Sequence, residues 1–372
     1  MDVQVLIDAK QLDPAKTWNN ADELFVEAGL QLVTDARGLS SEDANTADMI
    51  GIKRSGLMHM KARLFSRPGA TRLLTGSMNP GDNAVLNEET LHLVNDEVVV
   101  NRYSEAYASV LAGRAIPNAW DDGAPINVLF TPRASGPKAG TKVIEWLEAE
   151  EEQILLMVFS LRNLETPEGT LLDVLSRKVR DGVPVYVITD RKQSDGVDSG
   201  GNAIFRNDDF EDRLRSAGVH VYEAVNARTE FTAMHHKVAV LGKSRIRVIT
   251  DAANWTRAGL GNRTRVARNV ESQLFIDTEA LDGGRTGRRY LQQWLTVLER
   301  YAHQSVERDG QKPFDVVYDE LARSDGWPLE AVVFEVVTET QWGDRVLVRG
   351  NLDGLGDWGR AGDGHELGTA QD

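Results

Sequence analysis

Two short stretches carry the residues best suited to chemistry. In MHMKARLF (58–65), His59 and Lys61 stand at the mouth of an alternating apolar run; in MHHKVAVL (234–241), His235 and Lys237 do the same. A single such pair would read as a wet strand end, because charge is costly to bury. A second copy in the same relation argues for a site. Residues two apart on a strand share a face, so each pair presents an imidazole beside an ammonium. The first is a nucleophile or proton carrier near neutral pH, the second a point charge for an anion. His236, between them, points to the opposite face and reads as structural.

The elements around these pairs also occur twice. VQVLIDAK (3–10) matches VYVITDRK (185–192), each a buried-strand pattern ending in aspartate, Asp8 or Asp190. An amphipathic helical pattern follows each, with Gly29 or Gly218 placed as a helix C-cap before the next strand. Downstream of the His–Lys pairs, RLLTGSMNP (72–80) answers RVITDAANW (247–255), and NEETLHLV (87–94) answers NVESQLFI (269–276). Asn79 thus corresponds to Asn254, and Glu89 to Glu271. Each half closes on an amphipathic helical pattern, and the alternation of strands and helices predicts an α/β architecture. The second copy is preceded by a strand–helix–strand–helix lead over 125–182 that the first lacks. The comparison predicts that the first half is incomplete by about 55 residues at its N-terminus.

The order H-x-K, a small-residue turn with Asn, then N-x-E resembles the phospholipase D superfamily, whose signature is H-x-K-x(4)-D followed by G-[SG]-x-N, twice per active site. The resemblance spans most of the first 300 residues. It implies two pseudo-symmetric α/β/α halves and a phosphodiesterase that needs no metal or cofactor. Attack on an anionic diester requires positive charge on the non-bridging oxygens, a nucleophile and a proton for the leaving group. Lys61 and Lys237 would hold the phosphate, with Asn79 and Asn254 as hydrogen-bond donors and Ser77 lining the substrate. One histidine would attack phosphorus to give a phosphohistidine while the other protonates the leaving alkoxide. The resemblance assigns attack to His59 and acid catalysis to His235, and places Glu89 and Glu271 where the family has carboxylates that orient the imidazoles.

The pattern is not complete. Five residues beyond each lysine, where the family has aspartate, stand Ser66 and Gly242. The turn Gly76–Ser77 of the first half reads Asp251–Ala252 in the second, and a carboxylate facing a phosphate would repel it.

Composition narrows the partners. A net charge of −15 argues against a protein whose main work is holding nucleic acid. The longest apolar run, ILLMVFSL (154–161), is too short to span a bilayer, so a phospholipid substrate would imply peripheral membrane contact. The absence of cysteine excludes disulfides and thiolate chemistry.

A different pattern closes the chain. VTETQWGDRVLVRGNLDGLGDWG, within 331–367, alternates like antiparallel strands and is similar to the opening of the family-20 starch-binding modules of glucoamylases. That resemblance implies sugar stacking on Trp358 and Trp342, a starch- or glycogen-like partner and, with it, secretion. The expected organisation is a first half at 1–116, a second at 117–303, a linker at 304–328 and a partial all-β sandwich module at 329–372. The expected function is phosphatidyl hydrolysis or transfer. The alternatives are a nuclease or general phosphodiesterase, and an inert carbohydrate-binding protein.

Overall fold

The computed structural model describes residues 4–12, 27, 29, 32–33, 49–52, 55–194, 209–225 and 233–322, together with 347–348 and 365–366. The chain divides into two compact units, Met1–Leu321 and Ala322–Asp372. In the second, Leu347–Val348 pairs antiparallel with His365–Glu366. Trp342 and Trp358 lie outside the described residues, as does the starch-binding pattern apart from these two short strands.

The first unit is mixed α/β. Its early part holds a parallel sheet of β1 (Val5–Asp8), β2 (Leu32–Val33) and β3 (Met49–Ile52), in the order β1–β3–β2. An antiparallel sheet of β4 (Ala62–Arg67), β5 (Ala70–Gly76) and β6 (Leu91–Val94) follows, then helix α1 (Glu97–Leu111). The later part is built on β7 (Ile126–Thr131), β8 (Ile154–Val158), β9 (Val185–Asp190), β10 (His220–Ala224), β11 (Lys237–Leu241), β12 (Arg247–Asp251) and β13 (Glu271–Asp277). These form one seven-stranded sheet, ordered β10–β9–β8–β11–β12–β13–β7. The meander β11–β12–β13 repeats β4–β5–β6. The halves differ at β3: its apolar Ile50 and Ile52 are buried, and it inserts between β1 and β2, whereas β9 pairs directly with β10.

Strands β8, β9 and β11 are buried along their whole length, as expected for a sheet covered on both faces. One face packs on α2 (Ala139–Glu148) and α3 (Leu171–Arg180) through Val143, Leu147, Leu171 and Leu175. The other is covered by α5 (Arg285–Asp309), whose Trp294 is fully buried and donates its indole N–H to Leu156 O at 3.0 Å. The intervening α4 is Phe210–Ser216. Helix α5 runs beyond residue 303, and α6 (Phe314–Ala322) follows it within the span read as a linker. Lys312 and Glu320 reach the Tyr186 hydroxyl there, so this segment is tied to β9. Aliphatic burial of this kind contributes about 1.5–3 kcal/mol per side chain, enough to hold polar strand ends in place.

Candidate active site

The His–Lys segments meet where the two halves face each other. Each is stitched to the N-x-E segment of the opposite half. His59 N donates to Val270 O at 2.9 Å and Val270 N to Leu57 O at 2.8 Å; in the equivalent contacts, His235 N donates to Glu88 O at 3.0 Å and Glu88 N to Ala233 O at 2.9 Å. The asparagines repeat the pattern, with Leu57 N on Asn269 Oδ1 (3.0 Å) and Ala233 N on Asn87 Oδ1 (3.1 Å). Asp8 and Asp190 accept from Met58 N (2.8 Å) and Met234 N (3.3 Å) within their own halves.

The side chains therefore pair crosswise. His59 Nδ1 lies 2.6 Å from Glu271 Oε2, and His235 Nδ1 lies 2.8 Å from Glu89 Oε2. Asn269 Nδ2 donates to Glu271 Oε1 at 3.0 Å, and Asn87 Nδ2 to Glu89 Oε1 at 3.2 Å. Lys61 and Lys237 are buried, and each ammonium bonds the carbonyl of its own histidine, at 2.5 and 2.6 Å. Phe159 closes one wall, its ring edge-on to His235 at 4.6 Å with Lys237 Nζ 5.0 Å from its centroid.

Burial sets the protonation. It lowers both histidines, His235 to about 4, with the lysines adding to the effect and the carboxylates opposing it. Neutral imidazoles whose Nδ1–H is held by a carboxylate leave Nε2 as a free lone pair. Burial brings Lys61 down to about 8, partly offset by Glu271, Glu89 and Asp251, and depresses Lys237 further, with Lys61 adding repulsion. Burial pushes Glu89 up, but His235, Ser77 and Lys237 leave it below its ordinary value.

The structure brings His59, Lys61, Glu89, His235, Lys237 and Glu271 together. Asn79 is exposed and Asn254 half-buried, and neither amide bonds to the His–Glu pairs. Ser77 is buried, donates to Glu89 Oε2 at 2.6 Å and accepts from Thr90 N at 2.8 Å, so it helps hold the carboxylate. His236 is buried with its ring against Thr90 Oγ1 at 2.6 Å. Ser66 and Gly242 lie at the far ends of their strands, about 17 Å from the lysines at strand rise. Gly242, at φ +88°, makes the hairpin turn against Arg245 O.

Asp251 turns toward the first half. It is fully buried and takes a left-handed φ of 120° at the position of Gly76. Its carboxylate accepts from Thr75 Oγ1 at 2.9 Å and from the Tyr103 hydroxyl on α1. Burial raises it to about 6, against the pull of these hydroxyls and Lys61. Phe159, Thr75 and Tyr103 escaped the sequence reading because nothing local marks them; Asn87 and Asn269 were visible as the first residue of N-x-E.

Residues 143–284 match the family described as "Cardiolipin synthase, PLD-like domain". The fold is phospholipase D-like: the phosphatidylserine synthase of Haemophilus influenzae Rd KW20 is similar over 87% of this chain and 80% of its own, with a TM-score of 0.52 and 12% identity. Yeast tyrosyl-DNA phosphodiesterase aligns over 67% of this chain and 76% of its own (TM-score 0.42, 12% identity). Nuc of Salmonella typhimurium aligns over 47% and 95% (TM-score 0.35, 17% identity). No curated protein matches in sequence. The domain match is confined to residues 143–284, and the likeness to the phosphatidylserine synthase is one of fold.

Proposed function

We propose that this protein is a phosphodiesterase that cleaves or transfers a phosphatidyl group through a phosphohistidine. The observation that carries the reading is the crosswise pair of His–carboxylate dyads beside two buried lysines, contributed equally by both halves. A phosphate entering between Lys61 and Lys237 supplies the negative charge those ammonium groups lack, which favours their charged forms. His59 Nε2 attacks phosphorus, and the bond to the leaving oxygen breaks. The entering anion raises His235, which protonates the departing alkoxide. The resulting neutral His235 then takes a proton from water or an alcohol, whose oxygen displaces His59 from phosphorus. Glu271 and Glu89 hold the two tautomers throughout. Asn79 and Asn254 are proposed as additional donors to the bound phosphate, and Trp342 and Trp358 as the contacts of a starch- or glycogen-like anchor on a secreted protein.

Turnover of phosphatidylcholine and of bis(p-nitrophenyl) phosphate tests the reading, with His59→Ala and His235→Ala as controls. Loss of turnover in both variants is expected. Unchanged turnover in either refutes the two-dyad mechanism, and absence of turnover in the folded wild type leaves the carbohydrate-binding reading.

A further inference from the structure

The segments that lead into the site residues carry exposed apolar groups. Val85 is 72% exposed in the loop that precedes Glu89, and Val266 is 74% exposed in the pseudo-equivalent loop that precedes Glu271. Leu57, two residues before His59, is 42% exposed and bonded through its backbone to Asn269 and Val270. The exposed aliphatic side chains Val85, Val266 and Leu57 therefore precede Glu89, Glu271 and His59 by four, five and two residues, on segments from both halves.

The two loops differ in one respect. Asn79 and Asn254 stand 175 residues apart, whereas Asn87 and Asn269 stand 182 apart, so the second loop is seven residues longer. The longer loop holds Arg263, Arg265 and Arg268, all exposed; the shorter has no basic residue. None of the three arginines has a side-chain partner among the described residues. The loop has a defined shape: Asn262 Oδ1 accepts from Thr264 N at 3.2 Å and Arg265 N at 2.7 Å, and Asn262 N donates to Arg265 O at 2.9 Å. Its return is fixed at Arg268 N and Asn269 N, both donating to Ala258 O. Three unpaired cations beside an apolar tip, on a chain of net charge −15, form a local anion-seeking surface.

We infer that this surface, Leu57, Val85 and Val266 with Arg263, Arg265 and Arg268, seats the protein on an anionic phospholipid layer. The choice of a lipid partner rests on the phosphodiesterase reading above. The aliphatic tips favour lipid over nucleic acid, which offers no apolar layer to receive them, and the acidic remainder of the chain repels a long polyanion. Seated this way, the dyads face the headgroup layer, and the arginines engage neighbouring phosphates while Lys61 and Lys237 hold the reacting one.

The test is flotation of the 372-residue protein with vesicles of pure phosphatidylcholine or of 70:30 phosphatidylcholine–phosphatidylglycerol, at 0.1 and 0.5 M NaCl. Binding to the anionic vesicles at low salt is expected, weakened at high salt. Arg263→Ala/Arg265→Ala/Arg268→Ala should lower partitioning about 100-fold, and Val85→Ser/Val266→Ser about 10-fold. Both variants should keep wild-type turnover of soluble bis(p-nitrophenyl) phosphate. Equal vesicle binding by wild type and the triple variant would overturn the inference, as would failure of the wild type to bind. Arginine-dependent retention of a single-stranded oligonucleotide without vesicle binding would overturn it in favour of nucleic acid. Vesicle binding without any phosphodiester turnover would defeat the enzymatic reading and leave the surface standing.

Discussion

Replacing Glu271 with Gln tests the crosswise dyads by reversing a single hydrogen bond. In the wild type, Glu271 Oε1 accepts from Asn269 Nδ2 at 3.0 Å and Oε2 faces His59 Nδ1 at 2.6 Å. Asn269 cannot turn its amide over, because its Oδ1 already accepts from Leu57 N. A glutamine must therefore place Oε1 against Asn269 and its NH2 against His59. An NH2 group requires an acceptor at Nδ1, so the imidazole proton moves to Nε2 and the attacking lone pair is lost. A wrong tautomer in an otherwise intact hydrolytic site costs about 10⁴ in kcat, or about 5.5 kcal/mol. The expected loss here is about 10³–10⁴ in turnover of bis(p-nitrophenyl) phosphate. Asn269→Asp in the same chain should restore part of it. The new carboxylate accepts from both Leu57 N and the glutamine NH2, which turns the glutamine oxygen back toward His59. Histidine 15N shifts locate the effect: Glu271→Gln should move the His59 nitrogens and leave those of His235, while Glu89→Gln does the converse. Turnover within fivefold of wild type, or a double variant no better than Glu271→Gln, would refute the reasoning.

Three further outcomes follow from the same geometry. Lysine side-chain NMR shifts of the ligand-free protein should show Lys61 titrating near pH 8 and Lys237 also below its ordinary value, because burial opposes both charges; two lysines titrating at the ordinary value would refute that burial. Asp251 has a folded-state pKa of about 6, above its ordinary 3.8, so its contribution to stability is present below pH 4 and lost as pH rises through 6. Denaturation of Asp251→Asn should lack that dependence, gaining on wild type by about 2–3 kcal/mol between pH 4 and 7; parallel curves would show that the carboxylate is not desolvated. Gly76→Ala would place a Cβ 2.0 Å from Thr90 O at a φ of 148°, forcing apart the backbone that carries Glu89. Thermal unfolding should register a loss of about 2–4 kcal/mol together with reduced turnover, and an unchanged midpoint would contradict the fit.

The chemistry-bearing residues were legible in the sequence because they come in two copies at matched spacing. The His–Lys alternation, the duplicated N-x-E and the strand–helix order all depend on local periodicity, which a single chain displays without folding. The pairing was not legible. His59 lies 212 residues from its carboxylate and 30 from the wrong one, and only the packing of the halves brings Glu271 to it. The roles of Ser77 and Asp251 were hidden for the same reason. A hydroxyl beside a motif asparagine gives no local sign of its partner, and only the folded chain shows Glu89 accepting its proton. A carboxylate at a glycine position suggests repulsion until Thr75 and Tyr103 are found to accommodate it. Sequence determined which side chains are available for phosphate chemistry and that there are two sets. Tertiary structure decided which imidazole meets which carboxylate, because hydrogen bonds form between neighbours in space and the neighbours here come from opposite halves.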